Sequence, residues 1–243
     1  MLSAAMHLVL VGAAVVITLY YHPSPNPDKV ALFLEEAGLA YEVVPVDTRK
    51  GDQFKPEFLA INPNAKTPAL TDGDATIFDS SAILLHLAEK TGQFLPDDTP
   101  EARAQMLSWL MFIATGIGPY CGQAVHFTRA APEKIPYAIN RYTREALRHW
   151  RIVEERLGRH RYMLGERYTL VDMSLWGWST RAAFALGEEA FATFPNVRRH
   201  LQEISARPAA QRTMTLKTRF PFKAEMDEEA RRFLFPQNAC PLA

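Results

Sequence analysis

Between Ser24 and Asp28 the chain reads Ser-Pro-Asn-Pro-Asp, which concentrates a hydroxyl, a side-chain amide and a helix start within a few residues. Asn26 fits the cap, Pro27 the first helical position and Asp28 the first turn, where a carboxylate complements the helix dipole. A helix start carries backbone N–H groups without intrahelical partners and a partial positive charge, so it suits an anion such as a thiolate. Each donor aimed at the sulfur stabilises it by about 1 kcal/mol or somewhat more. A thiol with a pKa of about 8.5 needs that help, because it is mostly protonated at neutral pH. Ser24 and Asn26 also have a plainer reading as ordinary helix caps, and on local sequence alone that is the commoner case.

Other candidates carry the same double reading. Gln53 and Lys66 could take a carboxylate by hydrogen bond and charge, or be solvated surface residues. Asp79 and Ser80 could cap a helix, bind a ligand, or do both. Arg141 opens a run of basic residues that extends to Arg151, and a solvated face explains it equally well. The chain has two cysteines, Cys121 and Cys240, in no CxxC pair, so neither a disulfide framework nor a thiolate zinc site is indicated. Cys121 sits in Gly116-Ile-Gly-Pro-Tyr-Cys-Gly122, which is not a phosphate loop because no strand precedes it, and it reads as an idle buried thiol. The histidines at 22, 86, 126, 149, 160 and 200 have no metal-ligand spacing, and neither HExxH nor GxSxG occurs, so no metal is expected. Trp109, Phe112, Tyr120, His126, Phe127, Trp176 and Trp178 divide between a helical core and the walls of a pocket.

The elements that must position these groups follow from hydrophobic periodicity. Ile17–Tyr21 reads as a strand, and Val30, Phe33, Leu34 and Ala37 form one apolar helix face that ends at Gly38. Tyr41–Val46 reads as a second strand, placed at an edge or bulge by Pro45. Lys55–Ile61 is a short helical turn. Residues 67–70 and 75–78 form a hairpin around Asp72-Gly73, and Asp79-Ser80-Ser81 opens a helix with Ile83, Leu84 and Leu87 inside. The first half is therefore an α/β unit of order βαβ(α)ββα. Turn formers cluster over residues 94–100, and helical periodicity without a strand then runs from 101 to about 217. Within it, Thr169-Leu-Val-Asp172 fits a capping box at the start of a buried helix. A charged and aromatic tail, 218–243, could pack over the body or dangle.

Composition excludes several classes. A hydrophobic share of 48% with 22% charged residues is that of an ordinary globular protein. Lys and Arg total 27 against 27 Asp and Glu, so no net field draws the chain to nucleic acid or an anionic membrane. Met1–Tyr21 carries no formal charge and is long enough to span a bilayer. No Lys or Arg precedes Lys29, however, so a buried first strand after an extension over 1–16 is preferred to a signal or anchor.

An α/β half followed by an all-helical half resembles the cytosolic glutathione transferase superfamily, over roughly Ile17 to Arg212. Asn64-Ala-Lys-Thr-Pro-Ala69 looks like the segment in which the residue before a cis-proline offers its backbone to the cysteinyl part of glutathione. Phe78-Asp-Ser-Ser-Ala-Ile83 looks like the acidic-Ser turn for the γ-glutamyl end, and Thr169 with Asp172 matches the superfamily's N-capping box. Ser24-Pro25-Asn26, Gly51–Phe58, Ile135–Arg141 and Glu225–Arg232 are most similar to the Nu class, which includes bacterial glutathione-dependent disulfide-bond reductases. Where that class uses Thr-Pro-Asn, this chain has Ser24, which keeps the hydroxyl and loses the methyl that restrains χ1.

The resemblance implies a thioredoxin-like domain over 17–93, a linker over 94–100 and an all-helical domain over 101–217. It implies Ser24 and Asn26 at the thiol, glutathione contacts at Gln53, Lys66, Thr67, Pro68, Asp79 and Ser80, and Arg141 as an outer or cross-subunit contact. It further implies a cytoplasmic homodimer whose cosubstrate is glutathione, as two molecules or the oxidised dimer, acting on a small disulfide or electrophile without metal, nucleic acid or membrane. Disulfide reduction leads. Conjugation to carbon, glutathione-dependent ether cleavage and a non-catalytic glutathione-binding module are the alternatives.

Overall fold

A computed structural model describes residues 16–239, so nearly all of the expected extension over 1–16, and Cys240, lie outside the described residues. The central strand is β1 (Ile17–Tyr21), parallel to β2 (Tyr41–Pro45) and antiparallel to β3 (Ala69–Asp72), which forms a hairpin with β4 (Ala75–Phe78). The sheet order is β2-β1-β3-β4, so the strand that ends in Pro45 is indeed an edge. Ile17, Leu19 and Tyr21 alternate into the main core, while Tyr20 points to the other face and meets Phe58 at 5.8 Å between ring centroids.

Helix α1 (Pro25–Glu36) follows β1 and stops before Gly38, whose φ of +65° a side chain would disfavour. The short α2 (Pro56–Leu59) covers the Tyr20 face, and α3 (Ser80–Thr91) buries Ile83, Leu84 and Leu87 on the opposite one. The connection to the helical half spans residues 92–99, against 94–100 from turn composition, and it ends where Thr99 caps the next helix through Ala102 N–H at 3.1 Å.

The helical half runs α4 (Pro100–Phe112), a π-helical turn over 113–117, α5 (Gly118–Val125) and a second π-helical turn over 126–130. It continues through α6 (Pro136–Arg159), α7 (Leu170–Ser179), α8 (Ala182–Leu186), α9 (Glu188–Ala192), α10 (Pro195–Ser205) and α11 (Pro208–Arg219). A last helix, α12 (Glu228–Leu234), lies in the tail. One core joins the halves, with Phe33 of α1, Leu84 of α3, Leu110 of α4, Trp150 of α6 and Met173 of α7 all fully buried in the same cluster. No helix among the described residues is long and apolar enough to cross a membrane.

Helix α7 is buried on every side, so its start must be satisfied internally. Asp172, 0% exposed, does this: one carboxylate oxygen accepts from Met163 N–H at 2.8 Å and His200 Nε2 at 3.0 Å. The other accepts from Thr169 N–H at 2.9 Å and from the Thr169 hydroxyl at 3.1 Å. Replacing Asp172 with Ala strands all these donors in the interior. We expect Asp172→Ala to destabilise the fold by about 3 kcal/mol or more, read as a lowered urea midpoint; a shift below about 1 kcal/mol would mean that water replaces the carboxylate.

Candidate active site

The Ser24–Asp28 turn enters α1 in a register different from the one its caps suggest. Ser24, not Asn26, is the capping residue, with extended backbone (φ −153°, ψ 164°), and the helix starts at Pro25. Both registers put a proline where it is tolerated, which is why local chemistry does not separate them. The consequence for anion binding is specific. Pro25 and Pro27 have no N–H and that of Asp28 goes to Ser24 O at 3.1 Å, which leaves the N–H groups of Ser24 and Asn26 as the turn's backbone donors without a partner among the described residues. The remaining donors are the Asn26 amide and the Ser24 hydroxyl, which rests on His22 O at 3.3 Å, a long bond that a better acceptor would displace.

This turn lines a cleft of about 420 Å³ that it shares with Gln53, Asn64, Lys66, Thr67 and Trp178. The 62–67 loop is held by buried Asn62, which accepts from Asn64 N–H at 2.9 Å and donates to Lys66 O. It presents Lys66 exposed and Thr67 half-buried, and the Thr67-Pro68 bond is cis. His22 also lines the cleft; its Nδ1 lies 3.1 Å from Val46 O, an acceptor only, so that nitrogen carries the hydrogen, and burial holds the ring below the usual histidine range.

The tail closes the cleft rather than hanging free. Asp47 accepts from Lys223 N–H at 2.7 Å, and Arg49 donates to Lys223 O at 3.0 Å and to Ala224 O. Gln53 Nε2 donates to Thr48 O at 3.1 Å and Phe233 O at 3.0 Å, so its amide holds the tail, while its buried Oε1 has no partner among the described residues. Phe233 lies against Gly51, where a Cβ would come within 2.6 Å of the ring, and Phe233, Leu234 and Pro236 complete the cleft wall.

Asp79 caps α3 through Oδ1, which accepts from Ser81 N–H at 2.8 Å and Ala82 N–H at 3.2 Å. Its φ of +73° is a strained conformation for a residue with a side chain, of the kind that costs about 1–3 kcal/mol and clusters at functional sites. Ser80 is buried beside it. Beneath both turns runs Lys29 of α1, 1% exposed, with Nζ 3.5 Å from Ser80 Oγ.

The sequence pattern of the glutathione S-transferase N-terminal domain family matches residues 15–89, and that of the C-terminal domain family matches residues 136–203. The chain is 41% identical over 220 residues to the disulfide-bond oxidoreductase YfcG of Escherichia coli K12, covering 88% of this chain and 98% of that one. The chain belongs to the glutathione S-transferase family. It is an enzyme of that family by the same kinship. Its fold superposes with a TM-score of 0.78 on a glutathione transferase family member from Pseudomonas fluorescens Pf-5 with two glutathione bound, at 38% identity over 82% of this chain and 92% of that one. A glutathione transferase from Pseudomonas putida with one glutathione disulfide per subunit matches with a TM-score of 0.78 at 34% identity, over 83% and 91% of the chains.

Within this glutathione S-transferase framework, the cleft brings together Ser24, Asn26, Gln53, Lys66 and Thr67, while Pro68, Asp79 and Ser80 do not line it; Asp79 and Ser80 stand at the start of α3, where Lys29 Nζ lies 3.5 Å from Ser80 Oγ. Arg141 is not brought there within one chain: its guanidinium is 58% exposed and 3.7 Å from Glu145. Cys121 is buried, accepts from Trp150 Nε1 at 3.2 Å, and is pushed up to about 11 by burial, the hydrogen bond only partly offsetting this. Sequence reasoning missed Lys29, although a lysine one turn before Phe33, at the margin of that helix's apolar face, was a signal. It also missed the glycine that makes room for it. A Cβ on Gly177 of α7 would come within 2.4 Å of Pro25 O and 2.6 Å of Lys29 Cγ.

Gly177→Ala should therefore push the Ser24–Asp28 turn off α7, costing about 1–3 kcal/mol of stability and weakening ligand binding in the cleft; calorimetry on the folded variant showing unchanged affinity would refute the coupling. At pH 7 to 9 the native protein should leave Cys121 unmodified by iodoacetamide for hours, because the thiol is buried and the range lies well below its pKa of about 11, so little of it is thiolate. Peptide mapping checks this, with labelling as fast as in the denatured chain as the contrary result.

Proposed function

We propose that this enzyme binds glutathione in the Ser24 cleft and uses the thiolate of the bound tripeptide to reduce disulfides, in the manner of the Nu class. The observation that carries the reading is the pairing of an anion-receiving turn with the absence of a usable thiol among the described residues. The Ser24 hydroxyl, Asn26 N–H and Asn26 amide line the cleft, whereas the cysteine among the described residues is buried elsewhere and held protonated.

In the proposed binding mode Thr67 meets the cysteinyl backbone, Asp79 and Ser80 take the γ-glutamyl end, and Lys66 with Gln53 takes the glycyl carboxylate. Arg141 reaches glutathione across a homodimer. Exposed Phe78 on β4 and Met111 on α4 supply apolar area for such an association. The relative named as a disulfide-bond oxidoreductase, and neighbours crystallised with two glutathione or with the disulfide, favour sulfur exchange over attack on carbon. A reducing compartment, the cytoplasm, suits a glutathione-consuming reaction.

The chemistry then balances without a protein cysteine. Glutathione thiolate attacks one sulfur of the substrate disulfide, forming a mixed disulfide and releasing the first substrate thiolate. A second glutathione thiolate attacks the glutathione sulfur of that mixed disulfide, giving oxidised glutathione and the second substrate thiolate. Protons lost by the two glutathiones end on the two released thiols. The turn's donors act where charge sits on the attacking sulfur.

The Cys121→Ala, Cys240→Ser double variant should retain glutathione-dependent disulfide reduction; complete loss in a folded variant would falsify the mechanism. Ser24→Ala and Asn26→Ala should each raise the apparent pKa of bound glutathione by roughly a unit and slow turnover about tenfold, followed by thiolate absorbance. Mass spectrometry should find oxidised glutathione, whereas a stable thioether would point to carbon chemistry.

A further inference from the structure

Lys29 forms no ion pair among the described residues, and its ammonium has Ser80 Oγ, at 3.5 Å, as its hydrogen-bond partner, with the Trp178 ring centroid 6.0 Å away. Burying an ammonium without a carboxylate costs several kcal/mol, so a fold that retains one invites a counter-anion. Asp79 is the charged group whose field reaches it; Arg181 and Lys217 face Asp28 instead, and α7 presents Gly177 and Trp178, which carry no charge. Asp79 spends Oδ1 on its helix cap and keeps Oδ2 free of such a bond. One turn therefore presents a carboxylate oxygen and, through Ser80, a buried ammonium. That pair is complementary to a zwitterion, the α-amino and α-carboxylate groups of an amino-acid end.

We propose that Lys29 is the positioning residue for the α-carboxylate of the bound tripeptide: its ammonium hydrogen-bonds Ser80 Oγ, and Ser80 passes its own hydrogen to the ligand carboxylate. An ammonium has three donors and no acceptor, so Ser80 Oγ can only accept from it, and the serine hydrogen is left to point outward. A neutral amine could instead take that hydrogen. Ligand binding and protonation of Lys29 are thereby coupled. The inference rests on the proposed reading of the cleft as a glutathione site.

Burial lowers Lys29 to about 7, with Asp79 opposing. At pH 8 most of the free protein thus holds a neutral amine, and an arriving carboxylate, by favouring the ammonium, draws a proton onto it. S-methylglutathione keeps both carboxylates and has no thiol proton to release, so titrating it calorimetrically into the full chain in two buffers of different ionisation enthalpy counts that proton. Wild type should take up a fraction of a proton per ligand at pH 8 and less at pH 6. Lys29→Met should take up none and bind about tenfold or more weakly. An analogue with 4-aminobutyrate in place of the γ-glutamyl residue, lacking the α-carboxylate, should bind both proteins equally.

Equal uptake by Lys29→Met, or wild-type affinity in that variant, overturns the proposal. The wild-type buffer pair needs no variant, so absence of uptake overturns it even if Lys29→Met does not fold. Absence of binding of either glutathione or S-methylglutathione by wild type sinks the glutathione reading itself, a result distinct from binding without proton uptake.

Discussion

The missing side chain at position 177 is the constraint on which the site depends. Where a Cβ would stand, Pro25 O is 2.4 Å away, so the first turn of α1 lies directly on the backbone of α7. That closeness seats the turn that carries Ser24 and Asn26 against α7, and it brings the stem of Lys29 onto the same glycine. The support is itself rigid, because the start of α7 is pinned by the four donors that converge on Asp172. A turn in the α/β half is thus positioned by a helix from the other half, and the two cannot be regarded as separate binding and scaffold units.

The electrostatics of the turn follow from its two prolines. A usual helix start offers several free N–H groups; with two prolines this one offers those of Ser24 and Asn26, so side-chain donors must carry more of an anion's stabilisation. The macrodipole still contributes, and Lys29 adds to its positive end when its amine carries a proton. Asp28, the next residue back, is handled oppositely: burial raises it to about 6 while the Tyr21 hydroxyl, donating at 2.7 Å, and Arg181 favour its charged form. Adjacent residues of opposite charge are thereby separated by the helix, one toward β1 and one toward α3 and α7.

Much of the fold was legible because it is written in local terms. β1, the edge strand with Pro45, the hairpin around Asp72-Gly73, the Asp79 cap and the Thr169/Asp172 box each rest on a short run of residue types. The features that were not legible are tertiary. Two prolines two residues apart give α1 two acceptable starts, and the start observed, with Ser24 as the cap, sets Pro25 O against Gly177 of the other half, a contact that local sequence does not show. Gln53 reads as a free amide until the tail folds back and its carbonyl at Phe233 takes the hydrogen. Lysine is a surface residue by default, and what makes Lys29 different is a glycine roughly 150 positions away.

The tail shows how such a cleft separates holding from selecting. Every bond that fastens it described above reaches its backbone: the N–H and carbonyl of Lys223, and the carbonyls of Ala224 and Phe233. Main-chain fastening is indifferent to which side chains the tail carries, whereas the residues it contributes to the cleft, Phe233, Leu234 and Pro236, are apolar. The wall is apolar where the turn is polar, so a sulfur anion at Ser24 would meet its acceptor across a boundary between hydrogen-bond donors and dry surface. In such a setting the donors gain strength from the excluded water, and the shape of the acceptor is judged by residues that take no part in making the nucleophile.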